Sequence, residues 1–225
     1  MSFRTDLLAQ AVAEFDAMGG AKEPGASSSQ SAAKTEKARA LITKYWMEGL
    51  GRSATNAASE ISARTAWSAA FISFCVRKAL QKSGNAAVFD FSASHSVYIG
   101  QSLRNDFGAV PKPAFYGEPP TGIGKVKLAV GDIVGWSRTA NIASYEDALA
   151  AARATPQPKT YYSHCDIVID VSNGKATLIG GNVSNSVSKS SVNLDADGCV
   201  PVRPFRYNSA GTIISGPYIV VIQHR

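Results

Sequence analysis

Thr65-Ala66-Trp67-Ser68-Ala69-Ala70-Phe71-Ile72-Ser73-Phe74-Cys75-Val76 is a long apolar segment that contains neither Gly nor Pro. Its large side chains recur at helical spacing on nearly every side, which a surface helix cannot tolerate, so a buried central helix is expected. Ser83-Gly84-Asn85 should end it, leaving a functional end exposed at Trp67-Ser68. Chemistry is expected at that end. First-turn N–H groups lack intrahelical partners, and the helix dipole favours a nucleophile or a developing anion there.

Upstream, Ser2 to Met18 places Leu7, Leu8, Ala11, Val12 and Phe15 on one face, which predicts a short, weakly packed amphipathic helix stopped by Gly19-Gly20. Residues 21–33, with Pro24-Gly25-Ala26-Ser27-Ser28-Ser29-Gln30-Ser31, are small and polar and have little to bury. The chain should therefore divide into residues 1–33, a helix with a flexible linker, and residues 34–225, one domain. From Lys34 a second helix is expected, with Ala38, Leu41, Ile42, Tyr45, Trp46 and Leu50 along one side and Trp46 as a packing residue. A polar stretch from Arg52 to Arg64 then leads to Trp67-Ser68.

Downstream, a short helix is expected from Ser94 to Leu103. Pro111, Pro113, Pro119 and Pro120, with Gly117, Gly122 and Gly124, should make an irregular surface passage. Beyond Lys125 the runs become short and β-rich. Leu128 to Ser137 reads as a turn and a strand, and Cys165 to Val171 and Ala176 to Ile179 as a hairpin joined by Ser172-Asn173-Gly174. Tyr218 to Ile222 reads as a final strand, and the Ala-rich Tyr145 to Arg153 as an inserted helix. Helices first and a mostly antiparallel sheet after them make the fold class α+β.

With 225 residues, 45% of them hydrophobic, the chain can bury one sizeable core. Its net charge of +6 suits anionic partners, although the basic residues are scattered and do not mark a nucleic-acid module. Cys75, Cys165 and Cys199 are odd in number and include no CxxC pair, so neither a disulfide framework nor a structural zinc site is suggested, and a single pairing stays open. Gly122-Ile123-Gly124 sits in a Pro-rich loop and is no phosphate-binding motif. Asp6, Glu14 and Asp16 interrupt what a secretory leader would need, and no apolar run is long enough to span a membrane. Synthesis in the cytoplasm is expected, with action in the periplasm or wall requiring non-classical delivery.

Four islands recur in a specific order: Trp67-Ser68-Ala69-Ala70-Phe71, Gly131-Asp132-Ile133-Val134, Ser163-His164-Cys165-Asp166-Ile167-Val168 and Gly180-Gly181-Asn182. This order resembles the NlpC-type and CHAP-type branch of the papain-like superfamily of cell-wall amidases and peptidases. The stretch from Tyr45 to about Val187 looks more closely like a bacterial domain-of-unknown-function family with WSAAFIS, GDIV, SHCDIV and GGNV segments. The resemblance implies a papain-like fold, with Ser68 as nucleophile where the superfamily has Cys, His164 as general base and Asn182 as the orienting group.

The residues themselves leave alternatives open. Ser68 could equally cap its helix, and Asn182 could be a positive-φ turn residue. Strand alternation puts His164 and Asp166 on one face and Cys165 on the other, which makes Asp166 a competitor for the orienting role. Trp67 is a supporting residue, His95 reads either as a cleft contact or as a surface-helix histidine, and Cys75 reads as a small core hydrophobe. No metal or organic cofactor is implied.

The leading expectation is a peptidoglycan hydrolase that cleaves an amide or peptide bond in the wall or its peptide stems, as an antibacterial secreted effector or a phage-type lytic protein. A cognate immunity protein or a secretion-apparatus component would then be a partner. Two rivals stay open: a non-catalytic wall- or partner-binding module, and an acyl transferase or lipid-amide hydrolase, which an apolar groove beside Ser68 would favour.

Overall fold

A computed structural model describes residues 2–27, 29–105 and 114–225. In chain order they form α1 (Phe3–Met18), α2 (Ala32–Lys44), α3 (Ala54–Ser62), α4 (Ser68–Ser83), α5 (His95–Arg104), β1 (Phe115–Glu118), β2 (Ile133–Ser137), α6 (Tyr145–Ala152), β3 (Ser163–Ser172), β4 (Lys175–Val183), β5 (Ser186–Asn193), β6 (Arg206–Tyr207), β7 (Ile213–Ser215) and β8 (Tyr218–His224). A π turn, Tyr45–Gly49, continues α2. Six strands make one antiparallel sheet in the order β1-β8-β2-β3-β4-β5, and β6 and β7 form a separate ribbon. The fold class is α+β.

The apolar segment forms α4, buried from Ser68 to Val76 and closed by Gly84 in the left-handed conformation at φ 65°. It packs on β3 and β4, and α1 lies against it. The expectation that the first helix packs weakly is corrected. Phe3, Leu7, Ala11 and Met18 are buried in the same core as α4, and three ion pairs tie α1 down: Arg4 with Asp132 at 2.9 Å, Asp6 with Lys82 at 3.1 Å and Glu14 with Lys44 at 2.8 Å.

The segment after α1 is anchored too, since the Glu23 N–H donates to the Asn185 carbonyl at 2.7 Å and the Ser186 hydroxyl to that of Ala21 at 2.8 Å. Three further expectations are revised. The polar stretch from Arg52 to Arg64 contains α3, which buries only Ala57 and Ile61. The Pro-rich passage contains β1, paired with β8; Pro111 and Pro113, like Met1 and Ser28, lie outside the described residues. All three cysteines are free and buried, so no disulfide pairs them.

The two faces of the sheet differ, and this decides where the polar groups meet. Ile133, Cys165, Ile167, Ile179 and Val220 face the helices, whereas Val134, Trp136, Val168, Leu178, Tyr218 and Val221 form a second cluster on the other face with Leu128 and Val200. His164 pairs in register with Trp136, and Asp166 with Val134, so both belong to that second face. The GDIV segment serves the architecture. Gly131 (φ 83°) brings the chain so close to α1 that an added Cβ would meet Arg4 at 2.6 Å. Beside it, buried Asp132 holds Arg4, the Ala129 N–H and the Gln223 amide.

Candidate active site

Ser68 is the first residue of α4, and Trp67 stands at its N-cap position without a side-chain capping bond. Ser68 is therefore not a capping serine: its Oγ lies 2.7 Å from Nε2 of His95. His95 opens α5, and its Nδ1 makes a short contact with Oη of Tyr98 one turn on. The Cys165 thiol lies near the Tyr98 hydroxyl and shifts its pKa. With the imidazole proton on Nδ1 the donors run in one direction: Ser68 O–H to Nε2, then Nδ1–H to the Tyr98 oxygen.

Ser73, the last residue of the WSAAFIS segment, sets the approach of α5. Its hydroxyl donates to the Ser92 carbonyl at 3.1 Å and accepts the Ser92 N–H at 3.2 Å, which fixes the chain three residues before His95.

Burial, with His164 and Arg138 nearby, pushes the pKa of His95 well below the usual imidazole value, so the ring is neutral at neutral pH. Burial pushes the Tyr98 hydroxyl and the Cys165 thiol up, which keeps both protonated and able to donate.

His164, the second residue of β3, accompanies His95 at a ring-centroid distance of 5.3 Å. Its Nε2 lies 3.1 Å from Oδ1 of Asp166. The pair fits only because β4 carries no side chain opposite it, since a Cβ on Gly180 would fall 2.0 Å from Asp166 Oδ1 and one on Gly181 2.5 Å from Phe71 of α4. Trp136 closes over His164 at 5.2 Å between ring centroids.

The sequence-derived residues are thus partly brought together. Ser68 bonds His95 and not His164, because strand alternation turns His164 to the sheet face away from α4. His95 is no surface-helix histidine; it is 5% exposed. Asp166, and not Asn182, holds His164. Asn182, with φ 57°, lines the same cavity as both. Trp67, expected at an exposed end, is fully buried and stacks on Tyr45 at 5.8 Å. Cys75 is a fully buried core residue. Tyr98 and Ser73 were not anticipated; their signal lay in spacing, with Tyr98 three residues after His95 on a helix and Ser73 five after Ser68.

The cavity beside His164 has a volume of about 340 Å³ and is walled by Trp136, Arg138, Asp166, Asn182, Arg203 and Tyr218, together with three serines. Its wall mixes these polar groups with Leu178, Val183 and Ile214, so it is not the continuous apolar groove that lipid-amide chemistry would want. Ser68, 8% exposed, and His95 lie behind His164 and not on that wall. A roomier hollow of about 460 Å³, lined by Ser94, Thr139, Lys159 and Tyr161, lies beside the start of α5 and holds none of these groups. Among the described residues no cluster of three or more His, Cys, Asp or Glu could hold a metal ion, and no helix is long and apolar enough to cross a membrane.

A family model described as an uncharacterized protein conserved in bacteria (DUF2272) matches residues 8–216. No curated protein and no solved structure matches the chain.

Proposed function

This chain belongs to the DUF2272 family of bacterial proteins, and we propose that it is a papain-like hydrolase of amide or peptide bonds whose substrate is peptidoglycan. The observation that carries the reading is the 2.7 Å bond between Ser68 Oγ, at the start of the central helix, and Nε2 of a neutral, buried His95. His95 takes the Ser68 proton as Oγ attacks the carbonyl carbon, and Tyr98 holds the ring in the required tautomer. The first intrahelical bond of α4 runs from the Phe71 N–H to the Trp67 carbonyl, so the N–H groups before Phe71 have no partner among the described residues and can receive the oxyanion.

The leaving amine takes a proton from the imidazolium, and water then releases the acyl group from Ser68 by the same route. His164, paired with Asp166, lies between this machinery and the cavity and supports it from the substrate side. The wall as substrate is supported by the order of the four sequence islands and by the basic charge of +6 against an anionic polymer.

A second reading has its own observation. Ser68 is 8% exposed and stands behind His164, as it would in a wall-binding module without turnover. Incubating the protein with purified sacculi and weighing the released fragments by mass spectrometry separates the two. The hydrolase releases muropeptides, and Ser68→Ala and His95→Gln abolish the release. Retention on sacculi without fragments, unchanged by Ser68→Ala, selects the binding module.

A further inference from the structure

The cavity beside His164 carries more positive charge than its own residues neutralise. Arg138 and Arg203 sit over the Trp136 ring, with guanidinium carbons 4.8 and 5.1 Å from its centroid, and Arg203 also lies 3.8 Å from the Tyr218 ring. Among the described residues Asp166 is the one carboxylate on the cavity wall, and one of its oxygens is engaged by His164. Two guanidinium groups therefore face one partly committed acid.

Their donors are also underused. Arg203 gives Nε to the Gly216 carbonyl and Nη1 to the Tyr218 hydroxyl, while Nη2 has no hydrogen-bond partner among the described residues. The Arg138 guanidinium makes no hydrogen bond or close ion pair to a described residue; it rests on Trp136, with the Asp166 charge nearby. A planar guanidinium held on an aromatic face is pre-set for bidentate binding of a carboxylate. Asn182, Ser184, Ser190 and Ser191 on the same wall add neutral donors.

We infer that this cavity is a carboxylate subsite, and that the substrate is a short peptide segment whose carboxylate seats there while the bond that is cleaved lies some residues away, towards Ser68. Both guanidinium groups and the His164 ring contact one indole, so they lie within roughly 10 Å of each other, the span of about three extended residues, and Ser68 lies further on, across His95. A volume of about 340 Å³ is at the small end for ligand pockets and fits one or two residues, not a long chain. The substrate role rests on the hydrolase reading. Recognition of a carboxylate by the two arginines does not.

The test uses the full chain carrying Ser68→Ala, so that no probe is consumed, and measures binding at constant ionic strength by titration calorimetry. Three probes are compared: N-acetyl-alanyl-alanine as the free acid, its C-terminal amide, and N-acetyl-glutamyl-alanine amide, which carries only a side-chain carboxylate. At least one acid should bind about tenfold tighter than the neutral amide, and which one does so identifies the source of the carboxylate. Arg138→Gln should erase that preference while lowering the melting temperature by only about 2–4 °C, because this guanidinium is held by stacking on Trp136 and by no hydrogen bond to a described residue. Arg203→Lys should weaken it severalfold, since a lysine keeps the charge but loses the planar fork.

Equal affinity for all three probes, or a preference that survives Arg138→Gln, overturns the inference. A carboxylate preference in a protein that releases nothing from sacculi leaves the subsite standing and removes the hydrolase reading. Release without that preference does the reverse.

Discussion

At the scale of single residues, the pairing of Ser68 with His95 changes what Ser68→Cys should do. Cys75, Cys165 and Cys199 are buried, and burial pushes all three thiols up in pKa, so background reaction with iodoacetamide should be slow. A thiol at residue 68 would meet Nε2 of His95 and the free N–H groups of the first turn, both of which favour the thiolate. Labelling at neutral pH should be at least tenfold faster than that of an unactivated thiol, and His95→Gln should abolish the difference. A His164→Gln change that slows labelling more than His95→Gln does would give the base role back to His164. The depressed pKa of His95 also places the acid limb of kcat/KM below about pH 6.5, because the base stays unprotonated past the point at which a free imidazole titrates. Motif order and strand alternation bring Ser68, His164, Asp166 and Asn182 into view, but not the bond of Ser68 to His95. His95 stays ambiguous in the sequence because a lone histidine in a serine-rich segment looks the same whether it faces solvent or a neighbouring helix.

Among the elements, α4 supplies the largest share of the core, with α1 packed on it, and the link from α4 to α5 carries the site. The Ser73 hydroxyl is fully buried and clasps both polar groups of Ser92. Ser73→Ala leaves those groups unpaired, so a loss of about 1–3 kcal/mol in urea unfolding is expected, with kcat falling because His95 loses its register on Ser68. An unchanged kcat would mean that α5 is fixed elsewhere. The first helix gives a complementary test. Leu7 is 0% exposed in the core shared with α4, so Leu7→Ala should cost about 2–5 kcal/mol in one cooperative transition. A separate early transition would restore the appendage that the composition of residues 1–33 suggests. The elements that escaped notice share one physical feature, a weak apolar signal. α3 buries two side chains, β1 lies among prolines, and β5 is a serine-rich edge strand whose pattern shows only Val187 fully committed to the core. The hairpin of β3 and β4 was plain, since Asn173-Gly174, both with positive φ, is the turn that a two-residue connection demands.

For the molecule as a whole, α+β follows from the order of periodicities, whereas the division of the sheet into a helix-covered face and a cavity-bearing face depends on long-range pairing that no local pattern encodes. One consequence is the burial of histidines away from solvent, which makes global stability depend on pH with a definite sign. His224 ends β8 between Phe3 and Phe115, at ring-centroid distances of 4.3 and 5.1 Å, and burial, with the Arg4 charge nearby, pushes its pKa down to about 4. Above the unfolded value of about 6.5 both states are neutral and the contribution is whole. As the pH falls from there towards about 4, the unfolded chain binds a proton that the folded chain refuses, and stability is lost. His95, also depressed, acts in the same direction. Between about pH 7.5 and pH 5, before most carboxylates titrate, His224 should account for roughly 1–2 kcal/mol of lost stability once its partial exposure is discounted. His224→Phe keeps the aromatic packing but has no proton to bind, so it should flatten the pH dependence of the urea midpoint over that window while leaving the neutral-pH value nearly unchanged. An equally steep fall in the variant would show that the acid sensitivity arises elsewhere, with His95 the next group to replace.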